Sequence, residues 1–398
     1  MEPIYILSGV RTAIGDFGGS LKDFSPADLG ALVIAEAVRR AGIDSADVDH
    51  VVIGNVIPTV PKDAYVARIA AVRAGIPVAA PALTLNRLCG SGLQAIISAA
   101  QMIALGDADL AVAGGAEVMS RAPHVVPALR WGQKMGPATM IDAMVEVLSD
   151  PFEDIHMGVT AENVATRFGV DRAAQDALAV ESHRRAAQAQ QEGRFDSQIV
   201  PIEVREKGGT RTFDRDEHVR GNTTPTDLAG LKTVFKKDGT VTAGNASGIN
   251  DAAAALVLAS AAAVADWGLT PLARIVGWGF AGVDPAIMGI GPVHAVPAAL
   301  AKAGLSLDQI DVIESNEAFA AQACAVATAL GFDPARTNPN GSGISLGHPI
   351  GATGAILTVK AIYELQRTGG RYALITMCIG GGQGIALVVE LVAPATAA

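Results

Sequence analysis

The sequence predicts an α/β protein whose two similar halves stack as five alternating layers, α/β/α/β/α, with a further segment inserted as a lid. Three observations lead to this fold class. The chain has 398 residues, which is too long for one ordinary hydrophobic core. Short apolar strands alternate with helical patterns, which favours β-α-β units and a largely parallel sheet in each half. The third observation is an internal repeat.

The repeat relates the two halves of the chain. Residues 47–55 form a short polar lead, an apolar strand and a final Asn, and residues 308–316 have the same pattern. In each half a Gly-Ser-Gly region then opens an Ala- and Ile-rich helix, predicted over 93–105 and 352–365, and a later strand ends in a glycine cluster. The two halves are therefore predicted to be duplicates of one topology.

The middle of the chain has a different texture. Alternating strands and helices give way after residue 118 to scattered Trp and Met residues and then to a charged segment at 205–237. This change predicts an inserted loop domain that binds a ligand and makes oligomer contacts. Small residues at 241–248 would let a long, thin ligand lie against the backbone. The predicted domains are 1–118 plus 250–270, the inserted 119–249, and 271–398.

Composition limits the location and the partners of the chain. The net charge of -10 argues against nucleic acid or an anionic membrane as the main partner. Three cysteines, an odd number, and the lack of a signal-like opening favour the reducing cytoplasm. No apolar run approaches the roughly 20 residues of a membrane span without an interrupting charge or glycine. Only 18% of the residues are charged, which favours an oligomer.

Cys89 is the leading candidate for a catalytic residue. It lies in the segment 86–95, where an apolar extended run turns into a helix. Free N–H groups and the positive end of the helix dipole at such a position favour the thiolate, and adjacent glycines let a substrate carbonyl approach the backbone. Taken alone, however, a solitary cysteine is more often a small buried apolar residue than a nucleophile.

Three other strand ends supply groups that would complete a site. A glycine-rich turn contains His348, and an apolar strand ends at Cys378. Asn316 and Glu317 follow the strand predicted over 310–314, and Glu317 is expected to have a structural role. Two thiols and an imidazole make a nucleophile-plus-base set. Because α/β proteins build their sites from loops at strand ends, the four segments predict one shared site.

These four segments resemble, in sequence, order and spacing, the catalytic loops of the thiolase family, and the similarity covers nearly the whole chain. Residues 156–158 and 239–250 resemble the biosynthetic-type, short-chain acetoacetyl-CoA and β-ketothiolases. Residues 86–88 and 121–123 resemble bacterial β-ketothiolases that also accept longer chains, such as those supplying polyhydroxyalkanoate synthesis. The resemblance implies an acyl-CoA C-acyltransferase that cleaves a 3-ketoacyl-CoA, or condenses two acyl-CoA molecules, by a two-step ping-pong route.

Chemistry and resemblance together assign the catalytic roles. His348 is expected to deprotonate Cys89, which becomes acylated, and Cys378 to carry out the second proton transfer. The resemblance implies one oxyanion site at His348 and a water held by Asn316. It implies a second at the backbone N–H groups of Cys89 and Gly380.

The resemblance also implies the substrate carrier and the assembly. Coenzyme A and acyl-CoA are substrates that lie along the inserted domain, and no cofactor or metal is required. Relatives are commonly tetramers built as dimers of dimers. Asp227 is a departure, since some relatives have a small hydroxyl residue there. The positions that match the CoA channel are Leu148, His156, Met157, Arg220, Phe235, Ala243, Gly244, Ser247, Met288, Ala318 and Phe319.

Other interpretations stay open at this point. Residues 90–95 match a Gly-x-Gly-x-x-Ala dinucleotide fingerprint, but that leaves His348 and Cys378 without a role. The two thiols and the imidazole could ligate zinc, although no close Cys-x-x-Cys or His-x-x-x-His pair supports this. The chain could also be a non-enzymatic acyl-binding member of the superfamily, or a ketoacyl synthase. Such synthases use one Cys with two His, or with His and Asn, so Cys378 favours a thiolase.

Overall fold

Strands and helices alternate along residues 2–392, the part of the chain that the structure, a computed structural model, describes. The strands are β1 (Ile4–Thr12), β2 (Gly15–Asp16), β3 (His50–Gly54), β4 (Ala82–Leu85), β5 (Leu110–Val118), β6 (His124–Val125), β7 (Ile141–Asp142), β8 (Ile199–Val200), β9 (Ile202–Glu206), β10 (Gly209–Phe213), β11 (Asn250–Ser260), β12 (Ala273–Gly282), β13 (Val312–Ser315), β14 (Tyr372–Ile379) and β15 (Gln383–Leu391). The α-helices are α1 (Pro26–Ala41), α2 (Val66–Arg73), α3 (Ser91–Leu105), α4 (Ala143–Val147), α5 (Met157–Phe168), α6 (Arg172–Gln191), α7 (Pro225–Ala229), α8 (Ala261–Asp266), α9 (Gly291–Ala303), α10 (Ala320–Leu330), α11 (Gly343–Leu346) and α12 (Thr353–Thr368).

The main sheet has the strand order β13-β14-β15-β12-β1-β11-β5-β3-β4, with β2 paired to β11 and β8 paired to β1. Its two halves meet where Ile4, Tyr5 and Ile6 of β1 pair antiparallel with β12. Two hairpins, β6 with β7 and β9 with β10, lie outside the main sheet.

The predicted duplication is confirmed by the strand pairing. In the first half, β3 lies parallel to both β4 and β5, and β11 and β1 follow β5 antiparallel. In the second half, β13 lies parallel to β14, and β15 and β12 follow antiparallel. A parallel bridge between Ile313 and Thr337 stands where β4 stands in the first half.

The prediction of a largely parallel sheet in each half is wrong. The parallel pairs are β3 with β4 and β5, β13 with β14, and the short β8 with β1, while the other pairs of the main sheet are antiparallel. The reason lies in the connections. A tight turn, in which Gly381 and Gly382 have φ angles of 76° and 81°, joins β14 to β15, and such a short link joins only antiparallel neighbours. The inserted segment likewise returns β11 beside β5 in the opposite direction.

Helices complete the five predicted layers. The outer helices α1 and α2 contact the first half-sheet, α9 contacts β12, β14 and β15, and α3 and α12 pack together between the half-sheets. A Cβ atom at Gly92 of α3 would lie 2.8 Å from the backbone nitrogen of Ala355 in α12. A Cβ atom at Gly354 would overlap the backbone of Leu93 in return. The two helix backbones therefore touch at a pair of glycines.

Two helical stretches are long and apolar enough to cross a membrane by length and composition, Leu88–Leu105 and Pro285–Ala303, with mean hydropathies of 1.5 and 1.3. About half of each stretch is buried within the protein. The first contains α3, which lies between the half-sheets, and the second contains α9, which packs on β12 and β15. Core packing accounts for their hydropathy.

The segment between β5 and β11 contains the helices α4 to α7 and the short strands β6 to β10. Its helices α5 and α6 pack against α10 of the second half, and β8 joins the main sheet beside β1. The segment thus spans both halves. The predicted domain boundaries stay a prediction.

Candidate active site

Cys89 lies in a tight turn between β4 and α3. Leu88 has a φ of 46°, a left-handed conformation that is uncommon outside glycine. The Asn86 side-chain oxygen accepts the Leu88 N–H at 2.8 Å. The Ser91 hydroxyl accepts the Arg87 N–H at 2.8 Å and donates to the Leu88 carbonyl at 2.6 Å. These bonds fix the backbone on both sides of Cys89.

The Cys89 thiol is protonated in the free protein at neutral pH. Burial raises its pKa to about 11, although the backbone N–H groups of Gly380 and of Cys89 itself donate to the sulfur and lower it. The predicted N–H donors are therefore present, but the prediction that this position favours the thiolate is wrong, because desolvation outweighs them. A base is needed to remove the proton.

Cys378 is the last residue but one of β14 and has only 1% of its surface exposed. Burial raises the pKa of its thiol well above the usual range, and negative charge on Cys89 raises it further. The two sulfurs therefore lie close enough to influence each other. The N–H of Gly380, two residues after Cys378, donates to the Cys89 sulfur. Both thiols are neutral before substrate binds.

His348 is buried between polar groups from three segments. The Asn316 amide nitrogen lies 3.4 Å from each of its ring nitrogens, and the Asn250 side-chain oxygen accepts the His348 backbone N–H at 2.9 Å. Burial lowers the pKa of His348 to about 4. The imidazole is thus neutral at pH 7 and available as a base.

Thr353 favours one tautomer of this imidazole. Its hydroxyl lies 2.7 Å from Nδ1 of His348 and donates its own hydrogen to the carbonyl of Pro349 at 3.0 Å. The hydroxyl oxygen is then left to accept a hydrogen bond from Nδ1–H. This arrangement leaves Nε2 as the unprotonated nitrogen, which is the one that can take a proton.

Asn316 and Glu317 follow β13 and differ in their surroundings. The buried Asn316 side chain has an oxygen without a hydrogen-bond partner among residues 2–392. Glu317 accepts a hydrogen bond from the Ser182 hydroxyl at 2.6 Å and one from the Asn338 amide at 2.9 Å. These bonds tie α6 to the loops behind the site, which supports the structural role predicted for Glu317.

Part of the predicted CoA set surrounds Cys378. The ring of Phe235 stacks on His156 with centroids 4.7 Å apart and meets Phe319 edge-on at 6.3 Å. The Leu148 carbonyl accepts the N–H of Met157 at 2.7 Å. These contacts form an apolar wall beside the second thiol. The predicted residues that share one buried cluster with Cys378 are Met157, Phe235, Met288, Ala318 and Phe319.

The rest of the predicted CoA set lies along a second surface. Arg220, Ala243 and Gly244 line a pocket of about 260 Å³. Ser247 connects this pocket to the apolar wall, because its N–H donates to the Ala318 carbonyl at 2.9 Å. The geometry therefore arranges the predicted residues as a path from an exposed arginine to the two thiols.

Two histidines that were not predicted to belong to the site also line this pocket. His183 and His218 line it, and the His183 ring accepts the Arg220 N–H at 3.1 Å. Asp227 lines it too, but its carboxylate caps α7 by accepting the N–H and the hydroxyl of Thr224 at 2.9 and 2.6 Å. The Asp227 carboxylate is thus engaged in a helix cap.

Two alternative interpretations have no support in the geometry. Within residues 2–392, no three His, Cys, Asp or Glu side chains are grouped so that they could hold a metal ion. Cys89, Cys378 and His348 therefore do not form such a group. The dinucleotide interpretation needs open space at Gly90 and Gly92. A Cβ atom at Gly90 would instead lie 2.6 Å from the Ile379 side chain, and Gly92 touches α12.

Comparisons with known proteins identify the class. The model of the thiolase N-terminal domain matches residues 4–262, and that of the thiolase C-terminal domain matches residues 269–391. The chain therefore belongs to the thiolase family and is an enzyme, which confirms the resemblance of the four loops.

Individual relatives are similar over almost their full length. The chain is 63% identical to the β-ketothiolase BktB of Cupriavidus necator, over 97% of this chain and 98% of that protein. It is 51% identical to an acetyl-CoA acetyltransferase of Pseudomonas aeruginosa, over 98% and 99%. Human mitochondrial 3-ketoacyl-CoA thiolase, solved in complex with CoA, superposes with a TM-score of 0.96 at 44% identity, over 98% of both chains. The predicted thiolase fold is confirmed.

Proposed function

We propose that this thiolase is a β-ketothiolase that cleaves short 3-ketoacyl-CoA molecules with CoA and, in reverse, condenses acetyl-CoA with acetyl-CoA or another short acyl-CoA. The observation that carries this proposal is the pairing of two protonated thiols, Cys89 and Cys378, with the neutral imidazole of His348. The 63% identity to a β-ketothiolase supports the acyl range.

In the first half-reaction, Cys89 attacks the 3-keto carbon of the substrate while Nε2 of His348 takes the thiol proton. The bond between C2 and C3 then breaks, and the acyl group remains on Cys89 as a thioester. The leaving acetyl-CoA carbanion takes a proton from the Cys378 thiol. Its negative charge passes through the thioester oxygen, for which His348 and Asn316 offer hydrogen-bond donors.

In the second half-reaction, the Cys378 thiolate takes the proton of a CoA thiol, which then attacks the acyl group on Cys89. The N–H groups of Cys89 and Gly380 are suited to hold the oxyanion formed at this carbon, since both already donate toward the Cys89 sulfur. Cys89 leaves with its proton returned by His348. The sum transfers an acyl group from carbon to sulfur, and both thiols end protonated.

CoA and acyl-CoA act as substrates in this proposal, and no other cofactor or metal is required. The apolar wall of Met157, Phe235 and Met288 suits a pantetheine chain, and Arg220 suits the phosphates of the nucleotide. The CoA complex of the human thiolase supports this assignment.

Mass spectrometry of the acyl-enzyme tests the function. Brief mixing with acetoacetyl-CoA is expected to leave an acetyl group on Cys89, and mixing with a 3-ketoacyl-CoA two carbons longer is expected to leave a butyryl group. Labelling by the shorter substrate alone would restrict the enzyme to acetoacetyl-CoA. No adduct from either substrate would contradict the proposal and favour an acyl-binding protein or a ketoacyl synthase.

The pH dependence of thiolysis tests His348 as the base. Because burial lowers the pKa of His348 to about 4, the imidazole stays neutral above that pH and is lost as a base only when the pH falls through it. We therefore expect the acid limb of kcat/KM for acetoacetyl-CoA, at saturating CoA, to lie well below the ordinary imidazole value of about 6.5. Re-assay at pH 7 after acid exposure controls for unfolding. An acid limb at 6.5 or above would show that the base is another group or a solvated imidazole.

We also propose a homotetramer, built as a dimer of dimers, that works in the cytoplasm. Supporting the first point, Leu129, Trp131, Met135 and Met140 are 63% to 90% exposed in the single chain, which is a large apolar surface to leave in water. Supporting the second, Cys89, Cys324 and Cys378 are all free thiols. Light scattering that gave the 40.6 kDa mass of one chain would contradict the tetramer.

A further inference from the structure

We propose that Glu117 is a positioning residue of the active site, whose buried carboxyl group holds the turn after His348 and, once ionised, acts on Cys89 through its charge. This inference rests on the proposed function, because it assigns Glu117 to the site in which Cys89 is the nucleophile.

The Glu117 carboxylate joins two separate segments. Its Oε2 atom accepts the backbone N–H of Val56 at 3.0 Å and that of Gly351 at 2.8 Å. Its Oε1 atom accepts the N–H of Ile57 and the amide of Asn55, both at 3.1 Å. The loop after β3 is thereby fastened to the turn that carries His348.

All four partners of this carboxylate are hydrogen-bond donors. Burial is the largest effect and raises the pKa of Glu117 to about 8, although the N–H donors oppose that rise. A protonated carboxyl group would direct its own hydrogen at one of these N–H groups and find no acceptor there. Burial nevertheless prevails, so the carboxyl group ionises only near pH 8, and its charge is present in the higher pH range in which the Cys89 thiol titrates.

The internal duplication shows which residue of the second half is equivalent to Glu117. In the first half, Gly54 at the end of β3 pairs in parallel with Gly115 of β5. In the second half, Ser315 at the end of β13 pairs in parallel with Thr376 of β14. Two residues further along, β5 reaches Glu117 and β14 reaches Cys378. Glu117 is thus the first-half counterpart of Cys378.

Gly351, whose N–H Glu117 accepts, is in turn the second-half counterpart of Cys89. Gly92 and Gly354 meet reciprocally in the crossing of α3 and α12, and three residues before them stand Cys89 and Gly351. Cys378 therefore faces Cys89 in one copy of the arrangement, and Glu117 faces Gly351 in the other. A Cβ atom at Gly351 would collide with the carboxylate, so glycine is required there. In the first half, the position equivalent to Cys378 thus anchors a turn and carries no thiol.

Glu117 also acts on the nucleophile through space. Its charge raises the pKa of the Cys89 thiol, in addition to the larger effect of burial. A second carboxylate, Asp251 of β11, faces Glu117 and accepts the Ser120 N–H at 2.9 Å, but it has no hydrogen bond to the His348 turn. Asp251 therefore offers a matched control, being as fully buried as Glu117.

The test measures turnover and thiol reactivity on the same full-length variants. In Glu117→Gln, we expect kcat for thiolysis of acetoacetyl-CoA to fall about 100-fold with little change in KM, because the turn bearing His348 loses its anchor. We also expect the pH midpoint of Cys89 alkylation by iodoacetamide to move downward, because a negative charge has been removed. An opened site would also slow turnover and make the thiol more acidic, because water would reach Cys89, so the accessibility of the buried Cys378 thiol is measured in the same experiment.

Two variants and an internal reporter separate the possible causes. Gly351→Ala breaks the contact but keeps the charge, so turnover should fall without a downward shift of the Cys89 midpoint, and this variant carries the test should Glu117→Gln not fold. Asp251→Asn should leave turnover and midpoint near those of the wild type. Buried Cys378 should stay unmodified throughout, since its alkylation would report an opened site.

The proposal is overturned if folded Glu117→Gln keeps kcat within about threefold of the wild type, or if its Cys89 midpoint does not move. It is equally overturned if Gly351→Ala, folded, turns over normally. A wild-type protein without thiolysis would instead contradict the proposed function, so the two failures are distinguishable.

Discussion

Replacing Cys89 with Ala should abolish thiolysis and condensation together, lowering kcat by a factor on the order of 10⁴ or more. The reason is that both half-reactions pass through a thioester on this sulfur. The other thiol of the site, Cys378, is buried, and burial raises its pKa so far that it stays protonated. Initial rates in both directions, together with the mass of the protein after mixing with acetoacetyl-CoA, measure the effect. No acyl adduct should form at any residue.

A matched control is available in the third cysteine. Cys324 lies on α10, and its thiol donates weakly to the Ala174 carbonyl at 3.8 Å, away from the site. Cys324→Ala should keep nearly full activity. If Cys89→Ala kept most of its activity as well, the covalent mechanism proposed for this chain would be wrong.

Replacing Cys378 with Ala should separate the acylation of Cys89 from the proton transfers that follow it. We expect turnover to fall by about 10² to 10⁴, the range that general acid–base groups contribute, while Cys89 is still acylated. Cys89 keeps its base, because His348, Asn316 and Thr353 are untouched by the change. Rapid mixing with a 3-ketoacyl-CoA followed by mass spectrometry should therefore find an acyl-enzyme that CoA removes only slowly.

The serine variant sharpens this prediction. Cys378→Ser preserves the size of the side chain but offers a much weaker acid, so it should also accumulate the acyl-enzyme. If Cys378→Ala and Cys378→Ser both failed to label Cys89, Cys378 would be needed before the carbon–carbon bond breaks. The division of labour between the two thiols would then have to be abandoned.

Much of the site could be predicted because each reactive group ends a strand or opens a helix in a recognisable segment. The glycines and apolar residues around these groups can be recognised in the sequence, as they are around Cys89, Asn316, His348 and Cys378. The duplication was equally legible, from the matching strand and helix patterns. The predictions of the thiolase fold and of the enzyme class are confirmed on this basis.

What the sequence could not supply depends on packing between segments far apart in the chain. The direction of β11 relative to β5 follows from how the inserted segment returns, and no local pattern records it. The acidity of Cys89 was predicted with the wrong sign because the helix start is visible in sequence while the burial around it is not. Glu117 was missed for the same reason. Its place two residues after the pair Gly114-Gly115, at the end of an apolar strand, was a usable signal.

Asn250 and Thr353 were missed too, and they hold His348 through a backbone N–H and a ring nitrogen. Both residues belong to segments that the sequence marks for other reasons, the return of the insertion and the start of a helix. Their partner lies 98 residues away in one case and five in the other. Only the nearer one could have been inferred from spacing.

The glycine crossing of α3 and α12 has a consequence for how this enzyme can change. The nucleophile turn leads directly into α3 and the His348 turn leads directly into α12, so a substitution in the crossing would move both reacting groups at once. Variation in acyl preference must therefore arise elsewhere, in side chains such as Met157, Phe235 and Met288 that border Cys378 without supporting the crossing. Directed evolution toward longer chains should begin with those three positions and leave the two helices fixed.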